Sequence, residues 1–160
     1  ELAFVERMLT EDVRNNSAWN QRWFVLSGRA VRTAGGSGGM GNALLLDNTH
    51  IRSELLYACA ATEKAPENQA PWSYIEGLFR GRSYADFPEV LTHIRKLQAA
   101  ASENGQDNSP PMMALLVSIL ESDAEGMAEA STICTELETR LDVIRAKYWA
   151  YRRSEIERRS

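Results

Sequence analysis

The chain has 160 residues, of which 44% are apolar and 25% charged, and a net charge of −4. That length suffices for one domain with a core, and the acidic balance supplies no global positive field for nucleic acid. Cys59 and Cys134 lie far apart, no CxxC occurs, and His50 and His93 are the only imidazoles. A zinc site built by this chain alone is therefore not expected, and both cysteines read as small core residues of a reducing compartment.

Helical periodicity dominates. Leu2, Val5, Met8 and Leu9 form one stripe. Asn15 to Ser17 offer N-cap oxygens for a second helix with Trp19, Trp23 and Leu26 on one face. From Ser27 to Leu46 the pattern fails, and Gly35-Gly36-Ser37-Gly38-Gly39-Met40-Gly41 reads as an insertion or linker loop. It lacks the Lys-Ser/Thr and the preceding strand that a phosphate-binding loop requires.

Periodicity resumes with Ile51, Leu55, Cys59 and Thr62. The next helix opens near Pro71 and carries Trp72, Ile75 and Phe79, with Gly81 suited to its exit. Asp86, Pro88 and Glu89 begin another, striped by Val90, Ile94 and Leu97. Ser109-Pro110 opens one with Met113, Leu116, Val117 and Leu120. A last, longest helix is predicted from Ala130, Cys134, Leu137, Leu141, Ile144, Tyr148 and Tyr151, a heptad-like seam. It is read as a capping helix packed on the preceding pair rather than a coiled coil with another chain. Its Arg145, Lys147, Arg152, Arg153, Arg158 and Arg159 alternate with Asp142, Glu155 and Glu157, as on a solvated face.

No segment alternates with period two, so the chain is expected to be all-α, with about seven helices. No apolar run approaches the roughly 18 residues of a membrane span, and no signal peptide is visible. The chain opens at Glu1, already inside a helical pattern, so it is expected to be part of a longer one.

One motif recurs. Asn15-x-x-x-Trp19 is echoed by Asn68-x-x-x-Trp72 at an offset of 53 residues. Helix-turn-helix repeats run about 34 residues, and the excess matches the Gly-rich segment. Asn in a turn caps the helix that follows, and Trp one turn later fills the space between the helices of a hairpin. Arg22 lies on the Trp19 face and has three partners within its chemistry: turn carbonyls, a carboxylate of a neighbouring repeat, or another chain. The second copy has Ile75 there. Arg14, Asn16, Asn20, Gln21, Arg22 and Tyr74 are the candidate partner-facing residues, because exposed turns are where partners dock.

The stretch Asp12 to Phe24, DVRNNSAWNQRWF, resembles the repeat of protein prenyltransferase α subunits, in the form found late in the farnesyltransferase/geranylgeranyltransferase type I α subunit. The resemblance continues through Pro66 to Leu78, at Ser109-Pro110 and at Ile144-Arg145-x-Lys147-Tyr148-Trp149, and so covers nearly all but the Gly-rich segment. It implies an α-α superhelix, a right-handed TPR-like stack of helical hairpins, in which residues 1–160 form one helical-repeat domain from the C-terminal part of a longer subunit. Residues 27–46 would be the insertion.

It also implies a cytoplasmic heterodimer with a β subunit that holds zinc, with Mg an option for the holoenzyme. That heterodimer transfers farnesyl or geranylgeranyl from its diphosphate to the Cys thiol of C-terminal CaaX motifs. The family's α subunit contributes a Lys from earlier repeats. Here the turn reads Arg14-Asn15-Asn16, so no catalytic residue carries over, and Asn15, Trp19, Arg22, Asn68 and Trp72 carry over as the repeat signature. This chain is thus expected to be non-catalytic scaffold, binding no cofactor itself and inactive alone. The alternative is a TPR-like peptide-binding adaptor with no enzymatic partner, although Asn-x-x-x-Trp-x-x-Arg is not the TPR pattern. No nucleophile–base pair suggests an independent enzyme.

Overall fold

The structure, a computed structural model, describes residues 1–33 and 46–160. Every regular element among them is helical, and they form two compact units, Glu1–Phe87 and Pro88–Ser160. The all-α fold is the one the periodicity predicts, and its helical hairpins are those the resemblance implies.

In the first unit, α1 (Leu2–Glu11) and α2 (Asn16–Thr33) form one hairpin, and α3 (Asn48–Lys64) and α4 (Gln69–Leu78) a second. Helix α2 packs on α4. The core takes Val5 and Leu9 from α1, Trp19 from α2, Ile51 and Leu55 from α3, and Trp72, Ile75 and Leu78 from α4. The Asp47 carboxylate caps α3 by accepting the His50 backbone N–H at 2.9 Å. Gly81, at φ 74°, turns the chain after α4.

The predicted failure of helix from Ser27 is corrected at its start. Helix α2 continues to Thr33. The rest of the expected insertion, residues 34–45, lies outside the described residues.

The second unit holds α5 (Pro88–Glu103), α6 (Pro110–Leu120), α7 (Met127–Glu136) and α8 (Ala146–Arg159), with consecutive helices packed together. Ser109 caps α6, and Pro110 and Pro111 occupy its first positions, where no N–H partner is needed. Ile94, Met112, Met113, Leu116, Val117, Cys134, Leu137, Trp149 and Ile156 form the core.

The single long C-terminal helix predicted from the heptad seam is two helices. After α7 the chain passes through a π-helical turn, Leu137–Leu141, and breaks at Asp142 (φ −143°, ψ 52°) before α8 folds back on α7. The seam holds through Leu137 and then fails, with Ile144 96% and Tyr151 59% exposed. The Asp142 carboxylate accepts the indole N–H of Trp149 at 2.7 Å and the guanidinium N–H of Arg145 at 2.6 Å. Trp149 and Ile156, off the seam, are the buried positions of α8. The four arginines of α8 are ion-paired, two of them across to the end of α6 rather than along an open face. Arg152 and Arg159 meet Glu121, Arg153 meets Glu157, and Arg158 meets Glu155.

Candidate functional site

The two Asn/Trp turns repeat their main-chain and indole bonds at the offset of 53. The Asp12 amide donates to Met8 and the Ala65 amide to Ala61, while Asn15 N–H reaches Asp12 and Asn68 N–H reaches Ala65. The Trp19 indole N–H donates to the Val13 carbonyl at 2.9 Å, and the Trp72 indole to the Pro66 carbonyl at 2.8 Å. Each Trp is buried and satisfies its polar edge on the turn six residues before it. The Asn side chains cap the helices they precede, Asn15 to the Ala18 amide and Asn68 to the Ala70 amide. Asn68 also donates from Nδ2 to the Val13 carbonyl at 3.0 Å, tying the second turn to the first.

Arg22 and Tyr74, expected on a partner-facing surface, are buried instead, Arg22 at 3% exposure and Tyr74 at 5%. The guanidinium grips Glu54 in a two-pronged pair at 2.7 and 2.8 Å, stands over the Tyr57 ring at 3.8 Å, and reaches Glu6 at 3.4 Å. The Tyr74 hydroxyl donates to Glu54 Oε2 at 2.7 Å. Of the three partners open to Arg22, the structure has the carboxylate of a neighbouring hairpin. A buried guanidinium and carboxylate are tolerated only when each satisfies the other's hydrogen bonds, which is why both point inward.

Burial works against the charge on Arg22, but hydrogen bonding and attraction from Glu54 outweigh it, and the proton is held above the ordinary range. Burial likewise pushes the Tyr74 phenol up, with the Glu54 charge adding to it. Sequence reasoning missed Glu54. Its signal was a carboxylate three residues after Ile51, on the same stripe as Leu55 and Ala58.

Arg14, Asn16, Asn20 and Gln21 are exposed. Asn16 and Asn20 border a groove of about 390 Å³ between α2 and α4, with Gln69, Ser73 and Arg80 opposite. Trp23 and Gly77 meet at its base. A Cβ on Gly77 would stand 3.1 Å from the Trp23 ring, so the close approach of the two helices depends on glycine there. Trp23 in turn meets Tyr74 edge to face at 5.9 Å, coupling the groove to the buried pair.

Among the described residues no three His, Cys, Asp or Glu side chains converge as metal ligands, and no helix is long and apolar enough to cross a membrane. Cys59 and Cys134 are both buried. What the site offers is recognition chemistry: side-chain amides, one exposed guanidinium, and an aromatic base.

Residues 1–28 match the protein prenyltransferase alpha subunit repeat. The chain is 31% identical to the farnesyltransferase/geranylgeranyltransferase type-1 subunit alpha of Pisum sativum, over 98% of this chain and 48% of that protein. It is 27% identical to the Dictyostelium discoideum subunit of the same name, over 98% and 44%. The structure is similar to a chain of Candida albicans protein geranylgeranyltransferase-I complexed with GGPP, with a TM-score of 0.72 and 26% identity over 98% of this chain and 46% of that one. The chain thus spans about half the length of the curated relatives it matches. Residues 1–28 thus carry the protein prenyltransferase α-subunit repeat, and over 98% of its length the chain is similar to farnesyltransferase/geranylgeranyltransferase type-1 α subunits.

Proposed function

We propose that the chain is a scaffold portion of the α subunit of a heterodimeric protein prenyltransferase. That enzyme transfers farnesyl or geranylgeranyl from its diphosphate to the Cys thiol of C-terminal CaaX motifs. The observation that carries this reading is that 98% of the chain aligns with α subunits of that enzyme. Its chemistry fits a supporting role. The polar groups buried in the first unit are spent on one another, in the Arg22–Glu54–Tyr74 cluster and the indole–carbonyl bonds.

In this reading the β subunit holds zinc and the reacting groups, and the holoenzyme works in the cytoplasm, with Mg an option. The exposed residues Arg14, Asn16, Asn20 and Gln21 face the β subunit. Asn15, Trp19, Arg22, Asn68 and Trp72 hold that face in shape.

The test is to co-express the full-length subunit with a β subunit and assay prenyl transfer to CaaX peptides. A zinc-containing 1:1 complex that modifies the peptides is expected. Failure to form a complex, together with tight binding of short peptides by the subunit alone, would replace this reading with that of a peptide-binding adaptor.

A further inference from the structure

We infer that the groove between α2 and α4 seats an extended acidic segment of the β subunit, one of whose carboxylates pairs with Arg80. This rests on the heterodimer reading and names what that site takes. Three observations carry it.

The first is charge. Arg80 is exposed at the mouth of the groove, and among the described residues no carboxylate pairs with it. Arg22, Arg95, Arg140, Arg145, Arg152, Arg153, Arg158 and Arg159 all have acidic partners. No Asp or Glu lines the groove. Glu76, one turn before Arg80, lines a neighbouring hollow and makes no ion pair with it. In a chain of net charge −4, a guanidinium without a carboxylate in an acid-free groove is a ready acceptor for one, in the planar two-pronged geometry that Arg favours.

The second is the wall chemistry. Asn16 and Asn20 on α2 make no side-chain hydrogen bonds among the described residues, and Gln69 on α4 bonds only Ser73, at 3.0 Å. Each carboxamide offers both a donor and an acceptor. That suits the alternating N–H and C=O groups of an extended backbone better than a row of phosphates, which would need several cations.

The third is the base. Trp23 against Gly77 gives an apolar floor, and a groove of about 390 Å³ is of the size that takes a few side chains rather than a helix. An extended chain over such a floor places alternate side chains down onto it.

The experiment uses the full-length subunit with its β subunit, and the dissociation constant is read at low and raised salt. Arg80→Glu is expected to weaken association by about ten-fold or more at low salt, with the difference shrinking as salt rises. Arg80→Lys should retain most of the affinity. Asn20→Trp, which fills the groove, should weaken association at either salt level. Arg7→Glu makes the same charge change at an exposed position of α1 and serves as the control, with little effect expected.

Melting curves matching the wild type establish that Arg80→Glu folds, as an exposed position should. Wild-type affinity in both Arg80→Glu and Asn20→Trp overturns the groove assignment while the heterodimer stands. A loss in Asn20→Trp alone overturns the acidic chemistry. An equal loss in Arg7→Glu reduces the effect to net charge and overturns it too. No complex with the wild-type chain brings down the heterodimer reading and the groove with it.

Discussion

At the scale of single residues, the first unit turns on Glu54, which accepts from Arg22 twice and from Tyr74 once. Removing one member of a buried ion pair strands the other, and that costs more than the pair contributes. Arg22→Met is therefore expected to destabilise the chain by about 3–5 kcal/mol. Adding Glu54→Gln should cost much less than its separate effect, a strong coupling in a denaturant double-mutant cycle. Additive losses would show that the two side chains act independently.

Trp19 makes two separable contributions. Trp19→Ala should cost about 3–5 kcal/mol, the range for a buried aromatic truncation. Trp19→Phe keeps much of the packing but leaves Val13 without its indole donor. Because Asn68 still donates to that carbonyl, the loss in urea melts should be far smaller, about 1–2 kcal/mol.

At the scale of elements, the α7/α8 hairpin depends on Asp142. Its carboxylate does at this turn what the Val13 and Pro66 carbonyls do at the other two, receiving the indole N–H of the Trp that follows. Arg145 stands four residues before Trp149, where Asn15 and Asn68 stand before their Trp residues. Asp142→Ala should destabilise the second unit by about 2–3 kcal/mol, since it orphans a buried N–H and unpairs Arg145. Asp142→Asn, which keeps an acceptor, should recover part of that. Equal melting midpoints for the two variants would mean the indole bond adds nothing.

The heptad seam missed this turn because period alone does not register an inserted π-helical residue. Here the π-helical turn ends at the break at Asp142, so Ile144 falls in the connecting turn and α8 packs through a different face. The misplaced signal was Trp149 itself, a large aromatic off the predicted face.

For the whole molecule, buried acids set the alkaline limit. Burial pushes the Cys134 thiol up from its ordinary 9.0 to about 11, and burial with Glu54 raises the Tyr74 phenol further. Both groups keep their protons in the folded chain at pH values where the unfolded chain has lost them. Their contribution is fully present below about pH 9 and is lost as pH rises from the unfolded values through the folded ones. Urea melts across about pH 8 to 11 should show falling stability, with a shallower fall for Cys134→Ala. A slope identical to the wild type would remove Cys134 from the account.

What the sequence determined by itself was the local part: which stretches are helical, which faces are apolar, and that Asn15/Trp19 and Asn68/Trp72 are two copies of one turn. These rest on i, i+3, i+4 periodicity and on cap and indole bonds that close within six residues. They are legible without knowing what packs where. Tertiary structure decided the rest. Arg22 could have met a turn, a neighbour or a partner, and only the approach of α3 placed Glu54 32 residues away within 2.7 Å. Tyr74 looked like surface until Trp19, Trp23 and Glu54 enclosed it. The groove exists because Gly77 lets Trp23 come close. Each of these depends on which face of one helix meets another, and a periodic pattern names the face without naming its partner.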